Sequence, residues 1–509
     1  MAKYKPYDYS QQVLIPVSLE DQLVPGTLEF AIHTLVETRM DTGVFDGRFR
    51  NDETGRRAYD PKMLLKIVLF GYSRGLITSR KLERACKENV TFMALSCGLN
   101  PDHSTIAAFV SSMKDEIVPL FRDVLLVCDE EGLLGGTFFA LDGCKLPSNA
   151  SRSMGGKISE LRRKKAKIEE KVERLVEQQV ESDKEWDDAV GGKPSDRSNR
   201  KKEIDRLEKQ AKRIEQWLND NGPKIGRQGR EILSNITDND SGFMMSSHGM
   251  IQGYNSQALV DSEHQVILHG EVFGEPEDHY VIPSVLDGAK ENMEAIGQGK
   301  GYFEGTTFTA DSNYHSPTNL KKCDEEKLDA YIPDKRFRKR DPRFQGSERG
   351  KSSTVDRFTN KDFQRDESKD EYICPKGNSL RLTVKSTVQN GVIYRRYAAK
   401  KKDCSGCELK FKCFRSKKAT RKTLSIAIGY TADHHSKPMA EKIDSEKGRR
   451  IYSRRIAIVE PVFANIRVQK GMNRFTLRSK IKVNIQWLLY CMVHNIEKIV
   501  GRGVVYRLS

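Results

Sequence analysis

The chain has 509 residues, a formal net charge of +16 and a sequence pI of about 9.2. That length allows two to four domains with a substantial core, and the Lys/Arg excess calls for a polyanionic partner, nucleic acid first, unless it only solvates the surface. No apolar stretch approaches the ~18–20 uncharged residues of a membrane span, no signal-like apolar core follows Met1-Ala2-Lys3-Tyr4-Lys5, and ten cysteines in a chain that reads as cytoplasmic argue against a disulfide framework.

Residues 1–135 read as helical. Pro61 to Tyr72 carries Leu64, Leu65, Ile67, Val68 and Phe70 and should be buried, whereas Leu82 and Ala85 among Arg80, Lys81 and Arg84 suggest a short basic amphipathic helix. Asp102 is placed to cap a helix running through Ile106, Phe109 and Met113 towards Val127. Short helices and tight turns permit a DNA-binding helix-turn-helix or a plain helical bundle.

The apolar run Thr137-Phe138-Phe139-Ala140-Leu141 stops at the carboxylate Asp142 before Gly143, and residues 137–145 read as the first strand. The chain then changes character over 151–234. Ile158, Leu161, Lys165, Ile168, Val172 and Leu175 alternate spacings of three and four, and Ile204, Leu207, Ala211, Ile214 and Leu218 do likewise. These two seams, broken by Gly191, Gly192 and Pro194, predict an inserted antiparallel helical hairpin. Its charged faces read as solvated, with Arg162-Arg163-Lys164-Lys165 and Arg200-Lys201-Lys202 leaving room for phosphate contacts.

Strands are expected at 256–260 and 265–272, a helix at 281–296, and strands at 303–310 and 328–332, which makes a mixed α/β sheet with helices on its faces. The strand ending Thr306-Thr307-Phe308-Thr309-Ala310 leads to Asp311-Ser312-Asn313, repeating the Asp142 pattern. Carboxylates after neighbouring strands can meet and hold a hard divalent cation through oxygen, although Asp at a strand end is also an ordinary turn former.

Residues 334–445 interrupt this alternation. Lys335-Arg336-Phe337-Arg338-Lys339-Arg340 sets an aromatic in a basic run, a composition suited to phosphate neutralisation with base stacking, or to a solvated loop. Cys374, Cys404, Cys407 and Cys413 include a C-x2-C pair and could close a structural zinc site, the alternative being free thiols. Cys86, Cys97, Cys128, Cys144, Cys323 and Cys491 read as small hydrophobes.

Residues 446–500 return to helix. Tyr452, Ile456, Glu460, Phe463 and Arg467 recur at four, four, three and four, which would set Glu460 and Arg467 on one face, with Pro461 kinking or starting the helix. Ile481, Ile485, Leu488, Met492, Ile496 and Val500 form a core-facing stripe.

The order strand–Asp142, strand–Asp311, helix–Glu460 resembles DDE insertion-sequence transposases of the IS-four-like superfamily. Tyr59-Asp60-Pro61, Ser79-Arg80-Lys81-Leu82-Glu83 and Pro101-Asp102-His103-Ser104-Thr105 sharpen the likeness to the IS-eleven-eighty-two group. So do Gly253-Tyr254-Asn255 with Gln257, Ala258 and Val260-Asp261, and Val459-Glu460-Pro461-Val462-Phe463 with Gly471, Arg474-Phe475 and Arg478. The resemblance spans about residues 10–500.

It implies an RNase H-like catalytic core split as 136–150, 235–333 and 446–509, with an N-terminal helical DNA-binding domain over 1–135 and insertions at 151–234 and 334–445. It implies that Asp142, Asp311 and Glu460 ligate two Mg²⁺ (or Mn²⁺) ions, and that double-stranded DNA is cleaved and joined by a protein acting as a homodimer or larger assembly in the prokaryotic nucleoid. In the family, a Tyr, an Arg and a Lys surround the Glu as Y-x2-R-x3-E-x6-K. Here Tyr452 and Arg455 keep the first interval, Glu460 comes one residue late, and Arg467 replaces the Lys. Tyr452, Arg455, Arg467 and Lys145 are the expected DNA contacts, and the four-cysteine group also looks like one seen in relatives. Three rivals remain: a transposase that has kept DNA binding and lost the chemistry, a nuclease that cuts without joining, and an interaction scaffold dominated by the helical hairpin.

Overall fold

The computed structural model describes residues 18–48, 57–187, 194–227, 229–246, 249–344, 357–389, 392–414, 416, 418–428 and 433–503. The segment Met1 to Lys5 and the helix-breaking Gly191 and Gly192 lie outside the described residues.

Among the described residues six α-helices come first: α1 (Leu28–Thr38), α2 (Pro61–Ser73), α3 (Ser79–Glu88), α4 (Val90–Leu95), α5 (His103–Ser111) and α6 (Ile117–Glu130). Their starts follow local chemistry. The Asp60 side chain accepts from Lys62 N and Pro61 takes the first helical position of α2, where a missing N–H loses no bond. Asp102 caps α5 by accepting from Thr105 N at 2.8 Å, as its sequence position predicted. The run through Met63 to Tyr72 is buried throughout.

The central sheet and the elements set between its strands follow: β1 (Phe138–Pro147), the short β2 (Gly155–Gly156), α7 (Ile158–Asp187), α8 (Pro194–Asp220), the short β3 (Ser234–Asn235), β4 (Gly242–Ser246), β5 (Gly249–Asp261), β6 (Ile267–Phe273), α9 (Val281–Ala295), β7 (Thr307–Ala310), α10 (Pro317–Glu325) and β8 (Asp329–Tyr331). β2 and β3 form a separate two-stranded pair. The strand order is β4-β5-β1-β7-β8, with β6 also paired to β5. β1 is antiparallel to β5 and parallel to β7, and β7 is parallel to β8, so the sheet is mixed. β5 is buried from Gln252 onwards because strands flank both its edges and helices cover the sheet.

β1 covers the expected strand at 137–145 and runs two residues further, to Pro147, because its partner β5 extends as far as Gly253 opposite Pro147. A long-range ladder, invisible in the local run, carries the strand through the turn-forming Gly143.

Helices α7 and α8 are antiparallel, since Lys165 pairs with Glu215 and Lys171 with Glu203. Leu161, Ile204, Leu207, Ala211 and Ile214 bury their seam, while Lys165, at a seam position, bridges Glu169 and Glu215 instead of entering the core.

Residues 334–445 hold α11 (Phe337–Arg340), a second, antiparallel sheet of β9 (Gln364–Asp366), β10 (Glu371–Ile373), β11 (Ser379–Gln389), β12 (Val392–Ala399) and β13 (Thr423–Ile428), the short α12 (Lys401–Ser405) and α13 (Lys410–Cys413) before β13, and α14 (Asp433–Asp444). This sheet has its own small core of Phe363, Tyr372, Leu380, Tyr397, Ala399 and Leu424. The basic run is not a loop for stacking bases. Phe337 is 2% exposed and packs with Tyr331 and Ile443, and Arg340 is held by Asp334 and Asp444. An aromatic buried among its own neighbours cannot present a face to a base.

The chain closes with α15 (Glu446–Ala464), a π turn (Asn465–Gln469) and α16 (Lys480–Gly501). α16 is buried on nearly all sides, although Ile481, expected in its core stripe, is exposed. It covers the outer edge of β6: Asn495 bonds both the N–H and the C=O of Ile267, and Asn484 accepts from Val272 N. Its other side meets α1, α2 and α6, with the Tyr490 and Tyr72 rings 5.0 Å apart. The first helices and the central sheet therefore share one hydrophobic core. Among the described residues no helix is long and apolar enough to cross a membrane. All ten cysteines are free, and Cys97 is exposed in a left-handed turn rather than buried.

Candidate active site

In the parallel β1–β7 pair, Leu141 lies opposite Ala310, so Asp142 and Asp311 each follow the last paired residue of adjacent strands. Both line one cavity of about 240 Å³, with Lys145, Asn255, Asp278, Asn313, Tyr314 and Arg467 around them and Met245 at its margin. Four expected residues thus share one cavity: Asp142, Asp311, Lys145 and Arg467.

Asp142 Oδ1 accepts from Gly143 N at 2.8 Å and Oδ2 from Arg455 Nη1 at 2.6 Å. Burial pushes the Asp142 carboxyl above its ordinary range; the Arg455 charge and the Gly143 amide pull it back, and Asp311 adds to the rise. Burial also works against the Arg455 charge, but Asp142 holds its pKa above the usual value. The Tyr452 ring lies 5.8 Å from the guanidinium carbon and meets Phe337 edge-on at 5.4 Å, so the aromatic of the basic run serves as a buttress behind Tyr452. Arg455 Nε and Arg467 Nε are buried without a hydrogen-bond partner, leaving donor capacity beside the cavity.

Asp311 opens a turn: Asn313 N donates to Oδ1 at 2.7 Å, and Asn313 Nδ2 to Oδ2 at 3.3 Å. Tyr314 is buried behind it and donates to Gln257 Oε1. Gly143 is required by packing, since a Cβ there would stand 2.2 Å from Gln257 Nε2 and 2.9 Å from the Ser256 carbonyl.

Glu460 stands apart. It is exposed on α15 and does not line the cavity. Helical geometry gives the reason: five residues beyond Arg455 is about 140° around the axis, whereas four residues beyond is only about 40°. The inward position therefore belongs to Val459, which is fully buried. Arg467 does not share the face of Glu460 either, because the π turn at Asn465–Gln469 rephases the helix between them. Pro461 does not start α15 but sits inside it. It has no N–H for the Ala457 carbonyl, which instead accepts from Gln265 Nε2 at 3.0 Å.

Sequence reading missed Asp278. No motif marked it, although Asn255 and Gln257, which bind its carboxylate, belong to a motif that was recognised.

Cys374, Cys404, Cys407 and Cys413 line one small cavity beside Leu380. Burial raises the Cys413 thiol, Lys422 opposes this, and the three other thiols reinforce it. Among the described residues no group of three or more His, Cys, Asp or Glu side chains is arranged to hold a metal ion. At the Asp142–Asp311 cavity the donor set nonetheless suits one: two carboxylates and amide oxygens are hard ligands, and Mg²⁺ commonly takes one or two carboxylates and fills its shell with water and phosphate oxygens.

Comparison with protein families matches residues 373–500 to a transposase DDE domain and residues 17–112 to a transposase domain (DUF772). The first match contains Tyr452, Arg455, Glu460, Arg467 and the four cysteines; Asp142 and Asp311 lie outside both. No curated protein matches the chain.

Proposed function

We propose that this chain is a DDE transposase of the IS-four-like, IS-eleven-eighty-two type, of which the two matched family models are the typical pair, and that it binds the terminal inverted repeats of its own insertion sequence and catalyses cleavage and joining of the DNA ends on an RNase H-like core. The observation that carries this reading is the placement of Asp142 and Asp311 side by side on parallel strands, in a cavity bordered by Arg467 and Lys145 and backed by Arg455.

Asp142 and Asp311 would hold the divalent ions, with Glu460 as the third carboxylate of the motif, reaching the site if α15 turns. Two such ions, Mg²⁺ or Mn²⁺, would activate the attacking oxygen and stabilise the departing one. The chain's own groups do the rest. Arg455, released from Asp142, and Arg467 offer forked donors to the scissile phosphate, and Lys145 adds a point charge. Tyr452 holds the Arg455 plane in place. In the first step a water oxygen bonds to phosphorus and the P–O3′ bond breaks. In the second, the freed 3′-hydroxyl attacks a target phosphate and displaces that strand's 3′-oxygen. Double-stranded DNA is the substrate, a homodimer or larger assembly would pair two ends, and the nucleoid is the place of action. The four cysteines would hold a structural Zn²⁺ after a small convergence of their thiolates.

The test uses purified full-length protein, Mg²⁺ and DNA carrying the sequences that flank its own gene, with Asp142→Asn beside it. Breaks at discrete repeat ends and joined products, both absent from the variant, are expected. Metal-dependent breaks retained in the variant would remove the assignment. The outward position of Glu460 favours a second reading, a transposase that binds DNA without cutting it; binding with no breaks under any divalent ion would select it.

A further inference from the structure

Asp278 lies in the turn Gly274-Glu275-Pro276-Glu277-Asp278 between β6 and α9, and it is 8% exposed although it lines the cavity of Asp142 and Asp311. Its Oδ1 accepts from Asn255 Nδ2 at 2.6 Å and from Gln257 Nε2 at 3.1 Å, and its backbone carbonyl accepts from Asn319 Nδ2 at 2.9 Å. Gln257 is fixed in turn by Tyr314, so a rigid polar scaffold aims one side chain.

Two ordinary explanations fail. Asp278 is not the cap of α9: the N-cap is Tyr280, and no side-chain cap bond is made there. Nor does fold stability call for a charge, since an asparagine oxygen would accept the same two bonds without the penalty of a buried carboxylate. Both bonds fall on Oδ1, and no hydrogen bond to Oδ2 is made among the described residues. The charged or titratable groups acting on it are Lys145 and Asp311, both on the cavity, and the adjacent His279, and none of the three forms an ion pair with it. A carboxylate held this firmly, with one oxygen uncommitted at a site that already presents two others, has the form of a ligand waiting for a cation.

We propose that Asp278 is the third carboxylate facing the divalent cation in the DNA-free protein, together with Asp142 and Asp311, and that Glu460 contributes only once DNA is bound. This rests on the transposase reading above. It requires the three carboxylates, which border the cavity without closing on one point, to draw together as Arg455 leaves Asp142.

The experiment measures Mn²⁺ binding to the full chain without DNA, from the loss of the free-ion electron paramagnetic resonance signal. Asp278→Asn keeps both acceptor bonds and should preserve the fold, yet weaken binding by about tenfold or more, as should Asp142→Asn, while Glu460→Gln stays within about twofold. Mn²⁺ affinity unchanged in Asp278→Asn but lost in Asp142→Asn overturns the inference and leaves the transposase reading intact. Unchanged affinity in both variants overturns the two together. A measurement without substitution guards against misfolding. Fe²⁺ with ascorbate and peroxide cuts the backbone beside bound metal, so fragments ending near residue 278 are expected, and fragments near 460 with none near 278 overturn the inference.

Discussion

Arg455 Nη1 donates to Asp142 Oδ2 at 2.6 Å across 313 positions of sequence, tying the last long segment of the chain to its first strand. Both side chains are largely buried, 12% and 22% exposed. Arg455→Ala should lower stability by about 1.5–3 kcal/mol, the range for a bond between charged groups, and cleavage by about a hundredfold or more. Arg455→Lys should not restore cleavage, because a single ammonium cannot replace a fork. Thermal denaturation and a cleavage assay read the two effects separately, and normal cleavage by Arg455→Ala would refute its role.

Gly143→Ala adds one methyl group where Gln257 and the Ser256 carbonyl already stand. The backbone cannot yield easily, because Gly143 is paired with Gln257 in the β1–β5 ladder. Overpacking should destabilise by about 1–3 kcal/mol and displace the Gln257 amide that holds Asp278. Denaturant titration should show the loss, and Mn²⁺ affinity should fall with it. A variant of wild-type stability and affinity would show that the ladder can shift at no cost.

Phe337→Ala distinguishes packing from DNA contact. Its ring is buried against Tyr452, Tyr331 and Ile443, so truncation should destabilise by about 3–5 kcal/mol. The protein that remains folded should bind DNA as tightly as before. A drop in affinity at unchanged stability, of the kind a lost base stack gives, would return the basic run to the DNA interface.

His494 sets a pH dependence. Burial lowers its pKa to about 3; it is 1% exposed, and the one N–H of the neutral ring can donate to the Gln265 carbonyl, 2.9 Å from Nε2. The unfolded chain takes up a proton near pH 6.5 and the folded chain does not, so this group's contribution is whole above about 6.5 and is lost as pH falls towards about 3, by at most ~1.4 kcal/mol per pH unit. His494→Gln should flatten the stability profile in that window, and an unchanged slope would assign the acid sensitivity to other groups.

Much of this molecule is legible in sequence where the determining forces are local. The apolar runs before Asp142 and Asp311 identify β1 and β7, the three-and-four spacing identifies α7 and α8, and Asp102 marks its own helix start. What escapes is fixed by partners remote in sequence. β1 outlasts its apolar run because β5 is beside it, and the alternation of Leu380, Leu382 and Val384 with the polar Arg381, Thr383 and Lys385 in β11 is submerged in a basic, cysteine-bearing segment. Asp278 is an acid in a Pro- and Glu-containing turn, indistinguishable by composition from a solvated one. Glu460 shows the opposite difficulty: its motif is plain, but one residue of spacing rotates a helical side chain by about 100°.

The burial of α16 between the sheet and the opening helices has a consequence for how the molecule is born. Tyr490, the ring against which Tyr72 packs, is made 418 positions after it (490 less 72). With synthesis at about 5–20 residues per second, α1, α2 and α6 spend tens of seconds with an apolar face uncovered. That face can therefore close only once α16 has emerged, and a product truncated before residue 480 would leave it open to chaperones and proteases.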